Sequence, residues 1–169
     1  MVKNFETDKH SAVKIQALIF DIDGQLYGIN IFTLDEVLPM LEIKPIPKGP
    51  EFLEGVINLR GRIVPVVDLR KTLGYSRQAF TRESRILIAS FDGRKIGFIV
   101  DGARDVLEFG QDQIHPPVVK AGPARFIEEV VKLESGDMVQ LMTISKILTE
   151  ESLAHLMTVT LSKDSQGTL

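Results

Sequence analysis

The chain contains no cysteine, which excludes disulfide bonds, thiolate nucleophiles and cysteine-ligated metals. No apolar run approaches the ~20 residues that a bilayer-spanning helix requires. The N-terminal MVKNFETDKHSAVK is polar and lacks the apolar stretch of a secretory signal. These absences fit a cytoplasmic protein with no direct membrane insertion. Histidine is scarce: His10, His115 and His155 are the only three, and no two of them stand at H-x-x-x-H or H-x-H spacing for a metal. There is no G-x-S-x-G nucleophile elbow and no glycine-rich phosphate loop, since Gly55 and Gly61 are isolated. No cofactor is expected.

The 169 residues are 44% hydrophobic and 25% charged. That is enough chain for one domain, or for two small ones sharing an interface. A net charge of −3 argues against a general nucleic-acid binder, but the charge is unevenly distributed. Residues 44–85 hold nine Lys/Arg against four Asp/Glu, a local +5 that leaves −8 on the rest of the chain. A basic central segment in an acidic protein can steer an acidic partner onto one face.

Short apolar runs broken by turn residues predict strands more than helices. They fall at Lys14–Asp21, Gln25–Ile31, Val56–Leu59, Arg62–Val67, Arg85–Ser90, Lys95–Val100, Glu129–Leu133 and Met138–Met142. Asp-Gly at 23–24 and 92–93, and Ser-Gly-Asp at 135–137, supply hairpin corners. The chain also repeats itself. DGQLYGINIFTLDEVL at 23–38 lies over DGRKIGFIVDGARDVL at 92–107, with Gly28 on Gly97 at an offset of 69. FLEGVINL at 52–59 lies over FIEEVVKL at 126–133, with Val56 on Val130 at an offset of 74. Two similar β-units are implied, each too small to bury much core alone and so packed on the other. Small antiparallel units remove exposed edges by curling, so the expected fold is mainly β, a pair of five-stranded barrels. Short helices close the halves. One runs from an Asp68 cap to a Gly74 stop, and the other begins at Thr143 and re-caps at Thr149, with Leu153, Leu156 and Met157 on one face.

FDIDG at 20–24 invites a catalytic reading, with Asp21 as the nucleophile and Asp23 as the acid of a small Mg²⁺-dependent phosphatase. That chemistry also needs a Ser/Thr, a Lys and a second acidic pair on a parallel α/β sheet, and no alternating strand–helix pattern is present to carry them. The repeat places Phe91-Asp92-Gly93 in the equivalent position without a first aspartate. Asp-Gly is therefore backbone geometry in both halves. Asp35-Glu36 reads as a solvated strand end or a partner contact. The most distinctive stretch is GVINLRGRIVPVVDL at 55–69, from which Asn58, Arg60 and Arg62 project out of a hydrophobic hairpin. Pro65 cannot donate to a ladder and marks an edge or bulge. The second half carries Glu134 opposite Arg60. The first hairpin is thus specialised, its arginine a planar fork able to bond several partner oxygens.

At these residues the chain resembles the CheW family, the adaptors of bacterial and archaeal chemosensory arrays. The resemblance is carried by YGINIFTLDEVL at 27–38, FLEGVINLRGRIVPVVDLR at 52–70, IGFIVDGARDVL at 96–107 and, more loosely, FIEEVVKLESGDMVQLMTISKIL at 126–148. It covers about residues 14–158 and implies two SH3-like barrels in halves of about 14–84 and 85–148. A C-terminal helix at about 149–158 would follow, with tails at 1–13 and 159–169. It also implies a non-catalytic adaptor, in the cytoplasm and recruited to receptor arrays, that couples chemoreceptors to the regulatory domain of a CheA-type histidine kinase. An adaptor for another chemosensory system, such as type IV pilus motility, is the alternative within the same fold. Carried over by the resemblance, Leu34, Glu36, Gly55, Asn58 and Arg60 stand at receptor- or kinase-coupling positions. Ile99, Val100 and Gly102 stand along the groove between the barrels, where a receptor's helical hairpin tip would dock.

Overall fold

The computed structural model describes residues 14–119 and 121–148. Both tails and the helix expected at 149–158 lie outside the described residues. In chain order the elements are β1 (Ile15–Ile22), β2 (Gln25–Asn30), β3 (Leu34–Pro39), β4 (Leu53–Leu59), β5 (Arg62–Asp68), α1 (Leu69–Thr72), β6 (Arg85–Phe91) and β7 (Arg94–Val100). They continue as β8 (Gly102–Phe109), β9 (Ile114–His115), β10 (Ile127–Lys132), β11 (Met138–Met142) and α2 (Ile144–Ile147). The mainly β fold is the one expected, and the two short helices start at the caps read from the sequence, Asp68 and Thr143.

The strands form two sheets, ordered β8-β1-β2-β11-β10-β9 and β3-β6-β7-β5-β4. These do not follow the two contiguous halves, because each sheet takes its β1–β2 or β6–β7 hairpin from one half and its remaining strands from the other. Both hairpins join their sheets by parallel pairing, β2 with β11 and β7 with β5. The sheets also curl. Laid flat, β9 would stand five strand spacings from β8, about 24 Å, yet Phe109 and Ile114 are joined by a stretch that reaches at most about 17 Å. In the second sheet the counterpart of β9 is a single antiparallel bridge, Lys44 to Val56, with both N–H···O distances 2.9 Å.

Exchange of hairpins explains why ALIF at 17–20 and ILIA at 86–89 read as unbroken apolar runs. On β1, Ala17 and Ile19 point into the interior of the first sheet, while Leu18, Phe20 and Ile22 point into a core shared by both sheets. On β6, Ile86 and Ile88 fill the second interior, and Leu87 and Ala89 join the shared core. Both faces are dry, so the usual polar alternation is missing. Among the described residues the shared core is the largest of three apolar clusters, and it extends to Phe98, Leu69, Phe126 and Ile147.

Three strands went unpredicted. β3 and β8 are edge strands whose solvent side carries Asp35, Arg104, Asp105 and Glu108, which hides the apolar half of the pattern. β9 is two residues long. Pro65 lies within β5, between β4 and β7, rather than on an edge; it is tolerated because the ladder to β7 starts only at Val66.

Candidate functional site

The hairpin of β4 and β5 turns on Arg60 and Gly61, both at positive φ (52° and 84°), as a two-residue type I′ corner requires. Asn58 secures that corner, its side-chain oxygen accepting from the Gly61 N–H at 2.8 Å. The arginine is thereby held at the tip, with its fork directed to Glu36 on β3. Both guanidinium NH₂ groups donate to the two carboxylate oxygens of Glu36 on β3, each at 2.8 Å. Glu36 shares the inward face of β3 with Leu38, so its side chain is only 24% exposed, whereas that of Arg60 is 72% exposed. The Arg60 hydrogen bonds hold the Glu36 carboxyl below the usual range, and Glu36 raises the arginine in turn. Beside the pair, Asp35 accepts from Ser90 and Lys95, and these bonds, the serine's foremost, lower its pKa. The adjacent carboxylates Asp35 and Glu36 thus have separate partners and do not share a proton.

The other expected site residues divide by burial. Leu34 is half-buried and packs against the shared core beside its cross-strand partner Ala89. Gly55 is a close-approach residue, since a Cβ there would stand 2.3 Å from the Lys44 carbonyl oxygen and break the bridge that closes the second sheet. Ile99 and Val100, at 2% and 1% exposure, belong to the second interior and the shared core. They shape the junction between the sheets but offer no surface to a docking helix, which corrects the expectation that they line the groove. Gly102, at the start of β8, is partly open. Apolar surface is present further along β8, at the partly buried Ala103 and the exposed Val106. These pair with Phe20 and Leu18 and so carry the shared-core face out to solvent. Sequence reading missed both, although Val106 repeats Val37, which is also exposed.

FDIDG proves to be an anchor for ion pairs. The Asp21 carboxylate is gripped by Arg104 through two bonds of 2.8 and 2.9 Å, and Asp23, at positive φ in the corner, accepts from Arg70 at 3.0 Å. Among the described residues no cluster of three or more His, Asp or Glu is placed to hold a metal ion. Arg70 was likewise passed over. It is buried in α1 and reaches both Asp23 and Asp101, the latter also donating its N–H to the Asp21 carbonyl at 2.9 Å.

Comparison with known proteins agrees with this arrangement. A family model described as the CheW-like domain matches residues 16–152. The chemotaxis protein CheW of Thermotoga maritima is 34% identical over 137 residues, covering 81% of this chain and 89% of that one. The CheW of Klebsiella aerogenes is 31% identical over 143 residues, 81% and 83% of the two chains. A crystal structure of a scaffolding protein, the CheW of Thermoanaerobacter tengcongensis, superposes with a TM-score of 0.75 at 33% identity, covering 83% of this chain and 96% of that one. A repeated β-scaffold, one specialised arginine hairpin and the extent of these matches lead to one conclusion: the chain belongs to the CheW family.

Proposed function

We propose that this protein is a non-catalytic adaptor that couples chemoreceptors to a CheA-type histidine kinase within a cytoplasmic chemosensory array. The single observation that carries the reading is the Glu36–Arg60 pair. Both side chains belong to the stretches that carry the family resemblance, and the tip presents a charged fork that the second half of the repeat does not have. A partner carboxylate or backbone carbonyl arriving at the tip can share the guanidinium with Glu36 without being dehydrated alone. Ala103 and Val106 supply apolar surface of the kind a helical receptor tip buries. Many weak copies of such contacts suit an array, where avidity supplies the binding strength that one interface lacks.

The test is co-purification and receptor-dependent kinase stimulation with Arg60→Glu and with the exchange Glu36→Arg/Arg60→Glu. The single reversal places two carboxylates together and is expected to abolish coupling while the circular dichroism spectrum is unchanged. The exchange restores the internal pair but inverts the charge shown to partners, so it is expected to restore the thermal midpoint and not the coupling. Full kinase stimulation by both variants would remove this surface from the adaptor's function.

A further inference from the structure

The two sheets are joined mainly by apolar contact, and apolar contact has no preferred direction. Something else must choose the angle at which one curled sheet sits on the other. Among the described residues the only buried basic side chain is Arg70, and its partners are distributed in a telling way. Arg70 is on α1, which continues from β5 of the second sheet. Its Nη1 donates to Asp23 at 3.0 Å, in the corner of β1–β2 of the first sheet. Its Nε donates to Asp101 at 3.0 Å, and Nη2 donates to the same carboxylate. Asp101 is the residue at which the chain crosses from β7 in the second sheet to β8 in the first. That carboxylate also accepts the Asp23 N–H at 2.7 Å. One guanidinium therefore ties a helix, a hairpin corner and a crossover together in a fixed fork geometry. A second tether follows five residues on, where the Tyr75 hydroxyl meets that of Tyr27 on β2 at 2.7 Å and the Tyr75 N–H donates to the Arg70 carbonyl at 2.9 Å.

We infer that Arg70 is a positioning residue that sets the angle between the two sheets and thereby the placement of Gly102, Ala103 and Val106 relative to the Arg60 hairpin. The inference rests on the reading above that a partner spans both sheets. Arg70 itself is buried, so it acts on a partner through the surfaces it positions. Its function is to hold two surfaces in register, as a bidentate arginine does better than a lysine of equal charge.

The absence of cysteine makes the test clean. Single cysteines replacing Arg62 on β5 and Lys132 on β10, both exposed and on different sheets, take spin labels whose separation is measured in the full chain carrying Arg70, Arg70→Lys or Arg70→Ala. Amide exchange of the strands in each sheet is followed in parallel. The expected result is a broadened or shifted distance distribution in both variants, smaller for lysine, with each sheet still protected. Affinity for the receptor tip should fall about three- to thirty-fold, with lysine rescuing part of it. Unchanged distances in a folded Arg70→Lys chain overturn the inference whatever the partner does. Shifted distances with unchanged receptor affinity keep Arg70 as the angle-setting residue and overturn the reading that a partner spans both sheets. If the alanine variant unfolds, the lysine variant alone decides.

Discussion

Asp68 caps α1 through one carboxylate oxygen, which accepts the Arg70 N–H at 3.0 Å, and buries the other without a partner. At 1% exposure this charge is costly, and burial, reinforced by the nearby Glu54 carboxylate, raises the pKa against the opposing pull of the Arg70 N–H bond, Lys71 and Arg70. A folded pKa above the unfolded one means that the contribution to stability is greatest in acid, where Asp68 is protonated in both states. It is lost as pH rises through the folded value. Asp68→Asn keeps the cap acceptor and removes the charge. It is expected to raise stability at pH 7 by about 1 kcal/mol and to flatten the pH dependence above the ordinary aspartate range; urea melts of both proteins at pH 4.5 and 7 check this. Asp68→Ala removes the same charge but also loses the cap, so it should be about 1 kcal/mol less stable than Asp68→Asn. The D-L-R spelling of the cap was readable in the chain, but the orphaned oxygen was not, because burial belongs to the surroundings and not to the residue.

Elements show why the repeat is visible. Gly28 and Gly97 align in the sequence at a constant offset, and in the structure each faces a residue of the parallel neighbour, Leu141 on β11 and Val66 on β5. A Cβ at Gly28 would lie 2.7 Å from the Leu141 side chain, and one at Gly97 would lie 2.9 Å from that of Ile86. Gly28→Ala and Gly97→Ala should therefore each destabilise by about 1–3 kcal/mol through overpacking, read as a shift of the denaturation midpoint with an unchanged slope. Gly24 and Gly93 are different: they have open space around them but φ of 74° and 75°. Alanine there should cost about 1 kcal/mol, from the left-handed backbone alone. The glycine spacing was legible before its cause was, since the crowding that demands it comes from a strand more than a hundred residues away in one case.

Whole-molecule behaviour follows from the exchanged hairpins. Each half of the chain, about 14–84 and 85–148, leaves two strands in the sheet of the other, so neither half contains a complete sheet. Expressed alone, each is expected to lack cooperative unfolding. Co-expressed, they should assemble into one complex with a single thermal transition, and two independent transitions would contradict this topology. Phe20 and Phe98 lie in the core between the sheets. Alanine at either position should cost about 3–5 kcal/mol and lower the protection of both sheets together, as measured by native-state amide exchange.

By itself the sequence determined the mainly β class, the hairpin corners, the duplication, both helix caps and the arginine tip, because each is a local matter of turn chemistry, backbone freedom and side-chain alternation. Only the tertiary structure decided which half each hairpin joins, that Ile99 and Val100 are core while Ala103 and Val106 reach the surface, and that Arg70 binds three elements at once. Those outcomes depend on pairing between strands far apart in the chain. An apolar run buried on both faces looks the same in sequence whichever sheet it enters.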